Sequence, residues 1–322
     1  MIPPAALPAQ LLPSIPLLPY NLLPIVPSLS PDKHKGQTGG KLLTLGSSPE
    51  YFGAGMFAAS AMLRAGGDMA HVLTLTEAAG SAIRANSKGE LMVFTPEACG
   101  QQTCQDLLSR MDGVCVGPGL SRSDEAHDFA SFCCDVIAAT PHITSIVVDA
   151  DGLFAHPSQP RPPLTCFQND PRAILTPNIV EFRRLTSRYC PSPLDSPSAP
   201  VPAAASSLLS ELGVGAIVVK GRTDHIVTPT HHVECAVNGG LKRCGGLGDV
   251  LAGVTCLFAT WLRSFERGGG EGGPQLHEVL YAACAVARES SRRAFVRHGR
   301  STSAPHVVGE VGGVCEELFP PW

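Results

Sequence analysis

The chain has 322 residues, 44% hydrophobic and 16% charged, enough for one large domain or two small ones with a sizeable core. Its formal net charge is −4 and it has no basic run, which excludes nucleic acid and acidic lipid as partners and points to a small molecule. The twelve cysteines show no C-x-x-C pair and no metal-ligand rhythm, so they read as reduced, mostly buried thiols of an intracellular protein; no apolar run reaches membrane-span length.

The first 31 residues, "MIPPAALPAQLLPSIPLLPYNLLPIVPSLSP", are apolar but carry a proline every few positions, which forbids a continuous helix. The expectation is a mostly extended arm over 1–32, packed on the domain or partly disordered, followed by a single domain over 33–322. No Lys or Arg precedes Lys33, so neither a secretory signal nor an Arg-rich transit peptide is expected. That favours the cytoplasm and leaves a mitochondrial location open.

From Lys41 short apolar runs alternate with helical patterns. "LLTLG" (42–46) reads as a strand, "GMFAASAMLRAGG" as a small-residue helix and "MAHVLTL" as the next strand. "GVCVGPG" (113–119) is a strand entering a glycine turn, "DEAHDFASFCCDVIAA" a helix and "SIVVDADG" (145–152) a strand. "AILTPN" is a strand, after which Asn178 opens a helix through Arg188; Asn178 and Glu181 fit a capping box. "CPSPLDSPSAPVPAAA" (190–205) reads as a surface loop, "AIVVKG" (216–221) as a strand and "DHIVTPTHHVECAVNGG" as hairpin pieces. A long helix follows Gly248, "RGGGEGGP" (267–274) is a flexible loop, and two helices end the chain, around 276–294 and 306–318. Such alternation predicts an α/β fold: a mostly parallel sheet covered by helices on both faces, with ligands beyond the carboxyl ends of its strands.

Those strand ends carry unusual chemistry: "VGPGLSR", "DADG", "TPNIVEF" and "KGRTD". Each has a plain reading as a turn or cap; at one sheet edge they look like a nucleotide site. "RCGGLGDVLAG" (243–253) is the sharpest. Helical spacing of Val250, Leu251, Val254, Leu257, Phe258, Trp261, Leu262 and Phe265 places the glycines and Asp249 at a helix N-terminus. Free amides and the helix dipole there would hold an anion and keep Asp249 ionised, as a base must be. The alternative is an N-cap aspartate after a glycine turn. No Walker A sequence and no G-x-G-x-x-G after the first strand is present, against a P-loop NTPase and a Rossmann dehydrogenase. His231, His232 and His298 read as surface or core histidines with nothing nearby to complete a metal site. Cys244 reads as a small buried thiol, and Met56 and Met62 as helix packing.

At this point the chain resembles a known family. "KHKGQTGG", "EYFGAGMFAASAMLRAGGDMAHV", "VGPGLSR", "VVDADGL", "ILTPNIVEFRRL", "VVKGRTD", "LKRCGGLGD" and "HGRSTSAPHVVGEVG" run in order from Lys33 to about Gly312. They are similar to the ATP- or ADP-dependent NAD(P)H-hydrate dehydratases of the ribokinase-like superfamily, and "HGRST" points to the eukaryotic branch. The resemblance implies a ribokinase-like three-layer sandwich and nicotinamide-nucleotide repair. (S)-NADHX or NADPHX would be phosphorylated on its C6 hydroxyl and lose phosphate to give NADH or NADPH. It implies Asp249 as base, with the amides of Gly245, Gly246 and Gly248 stabilising the phosphoryl group. Gly119 and the run Asn178, Ile179, Val180, Glu181, Phe182, Arg183 and Arg184 would contact the hydrate. Lys220, Gly221, Arg222, Thr223 and Asp224 would contact ATP, as would Gly239, Gly240, Leu241, Lys242, Arg243, Cys244, Gly245, Gly246, Leu247 and Gly248. Asn178 and Glu181 would order Mg²⁺. An NAD(P)HX epimerase would be the functional partner, and a homo-oligomer is left open.

The chain departs from the family pattern. Ser121 stands where a second glycine is usual, Leu247 where Gln is, and Gly55 where Pro is; the segment after "KHKG" is about one residue longer and lacks paired glycines. Ser121 is expected to narrow the hydrate pocket by adding a Cβ. Two other readings compete: a ribokinase-like kinase of a thiazole or pyrimidine alcohol, and a catalytically weak nucleotide-binding homologue.

Overall fold

A computed structural model describes residues 8–13, 17–121, 124–154, 162–190 and 200–319. The start of the arm, Arg122 and most of the proline-rich 190–205 stretch lie outside them. The strands are β1 (Lys41–Leu45), β2 (Met69–Leu73), β3 (Met92–Phe94), β4 (Gly113–Val116), β5 (Ser145–Val148), β6 (Ala173–Leu175), β7 (Ala216–Val219), β8 (Asp224–Val227) and β9 (His232–Cys235). The helices are α1 (Phe52–Arg64), α2 (Glu77–Asn86), α3 (Pro96–Leu108), α4 (Asp124–Ala139), α5 (Ile179–Tyr189), α6 (Val201–Leu212), α7 (Leu247–Arg267), α8 (Leu276–His298) and α9 (Ala304–Leu318).

The strands form one sheet of order β3-β2-β1-β4-β5-β6-β7-β8-β9. Neighbours from β3 to β7 pair in parallel; β8 and β9 add an antiparallel hairpin. The inner strands β1, β4, β5, β6 and β7 are mostly apolar on both sides because each side meets its own core, whereas β9 is largely exposed. Leu42, Cys115, Val147 and Val218 point to the layer of α1, α7, α8 and α9. Their neighbours Leu43, Val114, Val148 and Val219 point to the layer of α3, α4, α5 and α6. The winding reverses between β1 and β4, so the parallel strands all end at one edge, where α/β folds bind ligands.

The expected α/β fold is the one observed, with two local corrections. The stretch read as a loop over 190–205 contains the start of α6, because a proline in a first turn lacks only an N–H that has no helical partner there. "SIVVDADG" stops being a strand at Val148, and Ala150–Leu153 turns as a short 3₁₀ segment. The described part of the arm lies on the α7–α8 face: Leu11, Leu22 and Ile25 are buried, and the Leu11 carbonyl accepts from Arg292 at 2.9 Å. Among the described residues no helix is long and apolar enough to cross a membrane.

Candidate functional site

Asp149 follows β5, Asn178 follows β6 and Lys220 follows β7. Asn178 and Lys220 form a parallel bridge beyond their strands, and the Lys220 amide donates to the Pro177 carbonyl at 2.8 Å. This fixes the lysine so that its ammonium reaches across the end of β6 and donates to Asp149 Oδ1 at 2.6 Å; the aspartate side chain is 2% exposed. Burial pulls Lys220 down, but Asp149 and Glu181 outweigh it and hold the ammonium charged above its ordinary range.

The first turn of α7 rests on this pair. A Cβ on Gly248 would stand 3.1 Å from Lys220 Nζ and 3.8 Å from Asp149 Oδ2. Gly246, with φ +94°, occupies the N-cap position, and a Cβ there would collide with Ala304 and Phe57, so glycine is needed for both conformation and space. Gly246 offers no side-chain cap to α7, and a Cβ on Gly245 would meet nothing within 4 Å; the first amides of a helix have no partner within the helix. Asp249 is thus not the N-cap but the third residue of the helix. Nor is it held ionised as expected. Burial pushes its carboxyl up to about 7, Asp149, Asp151 and Glu181 push the same way, and Lys220 opposes them. The helix dipole, worth about 0.3–1 kcal/mol at a helix end, does not offset them.

Asn178 and Glu181 close a capping box. Asn178 Oδ1 accepts from the amides of Val180 at 2.9 Å and Glu181 at 3.0 Å, and Glu181 Oε2 accepts from the Asn178 amide at 2.7 Å. Burial raises the Glu181 carboxyl, with Lys220 opposing.

The Lys220–Asp224 segment is held from below. Asp224 Oδ1 accepts from the Gly221 amide at 2.9 Å, and its other oxygen takes Arg288 Nε at 2.6 Å. Arg288 also donates to the Gly221, Arg222 and Val237 carbonyls. The loop before α7 is tied down too: the Gly240 amide donates to Ser291 and Lys242 Nζ to the Arg300 carbonyl at 2.7 Å. That bond joins the "HGRST" segment to the loop before α7.

A cavity of about 690 Å³ joins the two predicted groups, lined by Asn178, Ile179 and Val180 on one side and Lys220, Gly221, Arg222, Thr223 and Arg243 on the other. A second, of about 540 Å³, is lined by Val180, Arg183, Arg184, Ser187 and Arg188. Phe182 lies apart from both, 3% exposed in the core under α5, and Leu247 packs against the opposite core. Cys244 is half-buried, with burial raising its thiol. Gly119 sits on the β4 turn at φ +64°, where a Cβ would crowd the Tyr51 carbonyl. Ser121 has φ +76°, which gives another reason for the usual glycine: a left-handed backbone that serine adopts under strain. Gly55 is accommodated by Ser47, whose hydroxyl accepts from its amide at 3.2 Å, a bond proline could not make.

Asp149 and Arg288 were not among the expected site residues. Asp149 stood in view within "DADG" and read there as a turn; Arg288 sits mid-helix with no local signal.

The profile of the family described as NAD(P)H-hydrate dehydratase matches residues 42–311. An ATP-dependent (S)-NAD(P)H-hydrate dehydratase of Bos taurus is 36% identical over 300 residues, covering 92% of this chain and 87% of its own length. The ADP/ATP-dependent NAD(P)H-hydrate dehydratase of Bacillus subtilis, co-crystallised with ATP and Mg²⁺, superposes with a TM-score of 0.65 at 19% identity, covering 91% of this chain and 94% of its own. A ribokinase-like superfamily protein of Enterococcus faecalis gives a TM-score of 0.68 at 17% identity over 92% of this chain and 94% of its own.

Proposed function

The chain belongs to the NAD(P)H-hydrate dehydratase family, with the ribokinase-like fold, and from that premise we propose how its strand-end site works. The enzyme restores NAD(P)H from (S)-NAD(P)HX at the expense of ATP. The observation that carries the residue assignment is Asp249, a carboxyl raised to about 7 in the first turn of a helix that begins at an uncapped glycine and rests on Lys220. A base with its pKa near the working pH removes a proton efficiently.

Asp249 takes the proton of the C6 hydroxyl as that oxygen attacks the γ-phosphorus of ATP and ADP departs. The Gly245, Gly246 and Gly248 amides hold the equatorial oxygens of the transferring group. Phosphate then leaves C6 with the bonding electron pair, the ring loses the C5 proton, and the C5–C6 double bond re-forms. Lys220 holds its ammonium against this turn, where phosphate charge gathers. ATP lies along Lys220–Thr223 and the 239–248 loop. The hydrate lies toward Gly119 and α5, whose Arg183 and Arg184 suit its pyrophosphate. Asp224 shapes the loop from beneath rather than facing ATP.

Mg²⁺ fits the same place. Asp149, Asp151, Glu181 and Asp249 gather round a single ammonium, and their mutual repulsion is visible in the raised carboxyl of Asp249. Glu181 is better suited to hold the ion's waters than Asn178, whose side-chain oxygen already accepts two amides. Bound there, Mg²⁺ neutralises triphosphate charge. Because (S)-NAD(P)HX is the substrate, an epimerase would convert the other epimer into the form the enzyme takes.

The test is to mix protein, Mg²⁺ and (S)-NADHX with ATP or ADP and follow the NADH absorbance. A rise that requires ATP is expected. No rise with either nucleotide, from folded protein that binds ATP, would assign the chain to the catalytically weak homologues.

A further inference from the structure

The β8–β9 hairpin brings together side chains that the sequence keeps apart. In its antiparallel register His225 faces Glu234 and Val227 faces His232, so His225, His232 and Glu234 share one face of the sheet. His225 Nδ1 lies 3.3 Å from His232 Nε2 and 3.4 Å from Glu234 Oε1. One ligand atom from each residue lies within 4.8 Å of the other two. The two imidazole planes are 19° apart.

A tetrahedral ion with bonds of about 2.0–2.1 Å has ligand–ligand edges of about 3.3–3.4 Å. Two of the three edges here have that length. A proton serves the arrangement less well. With the proton on His225 Nδ1, one N–H faces two acceptors, each farther than the ~2.9–3.0 Å of a good N–H···O bond; with the proton on His232 Nε2, the Glu234 carboxylate faces a bare nitrogen lone pair on His225. A cation in its place bonds all three groups at once. Two imidazoles and a carboxylate suit a borderline divalent ion, and hard Mg²⁺ prefers oxygen. The geometry points to a Zn²⁺-class binding site made by His225, His232 and Glu234, with one coordination position left for water or an outside ligand. His225 also lines the 690 Å³ cavity, so the ion sits at its rim. This site is independent of the site at Asp249.

Co²⁺ is the probe, because its visible spectrum reports tetrahedral coordination and a bound thiolate adds a separate charge-transfer band. Full-length protein titrated with Co²⁺ should take up one equivalent with tetrahedral bands and no thiolate band, and Zn²⁺ should displace it. His232→Ala, on the exposed hairpin, should fold normally and lose Co²⁺ affinity by on the order of 100-fold or more, and Glu234→Gln by about 10-fold or more, taking outer-partner losses of 10–100-fold as the floor. Overturning results are no uptake by wild type, a thiolate band, or unchanged affinity in folded His232→Ala.

Discussion

Two helices start at the same sheet edge, and they start differently. At α5, Asn178 Oδ1 accepts from two amides of the first turn and Glu181 accepts from the Asn178 amide. At α7 the N-cap is Gly246, with no side chain to offer, and no side-chain bond reaches the turn. A protein built only for stability would cap both, since a lost cap costs about 1 kcal/mol. The α5 start is complete in itself; the α7 start has no side-chain cap. The ionisable groups follow suit. Burial raises both carboxyls, but the Asn178 amide opposes the rise at Glu181, whereas Asp249 is pushed up to about 7 by burial and by neighbouring carboxylates.

The largest effect should come from Asp249→Asn. Loss of a positioned base costs about 10²–10⁴ in rate, so turnover should fall that far while ATP binding and fold persist. The same change should raise the melting temperature at pH 8. A carboxyl whose folded pKa lies above its unfolded value favours the folded state when protonated, and that advantage disappears as pH rises through about 7. Wild-type turnover within a few-fold, or a lower melting temperature, would remove Asp249 as the strained base. Gly246→Ala comes next. It demands a positive φ of a residue with a Cβ and drives that Cβ into Ala304 and Phe57. Such strain costs on the order of 1–3 kcal/mol, and turnover should fall more than stability alone explains.

The pH profile sharpens the contrast further. The base works deprotonated, so kcat/KM should climb with pH through a midpoint near 7. Asp149→Asn removes one of the charges that raise Asp249 and frees Lys220 to pair with it, so the midpoint should move to lower pH. A midpoint that stays put, in folded protein, would show that burial alone sets it.

Part of this contrast is visible in the chain itself. "N-x-x-E" states the α5 cap, and "GGLGD" before a helical run states the α7 start, because both are local. The partner of Lys220 is not local: Asp149 is 71 residues away and meets it only through the parallel register of β5, β6 and β7. Asp249's raised carboxyl was misjudged for the same reason, since the carboxylates that raise it come from the ends of two other strands, β5 and β6. His225, His232 and Glu234 look unrelated until β8 and β9 pair. The start of α6 was hidden by prolines that read equally as loop.

The smallest effect tests the closed end. Asn178→Ala removes both amide bonds to Oδ1 and should cost about 0.5–2 kcal/mol of stability. If its role is only to cap, kcat should change little once the protein is held well below its melting temperature, and Asn178→Asp, which caps as well, should restore stability. The carboxylate would add charge beside Glu181 and Lys220, so a KM change for the hydrate with Asn178→Asp but not Asn178→Ala would mark charge at that corner, rather than the cap, as what the substrate meets. A large kcat loss in Asn178→Ala, with the fold intact, would instead mean that α5 contributes to the chemistry as α7 does, and the contrast between the two helix starts would fail.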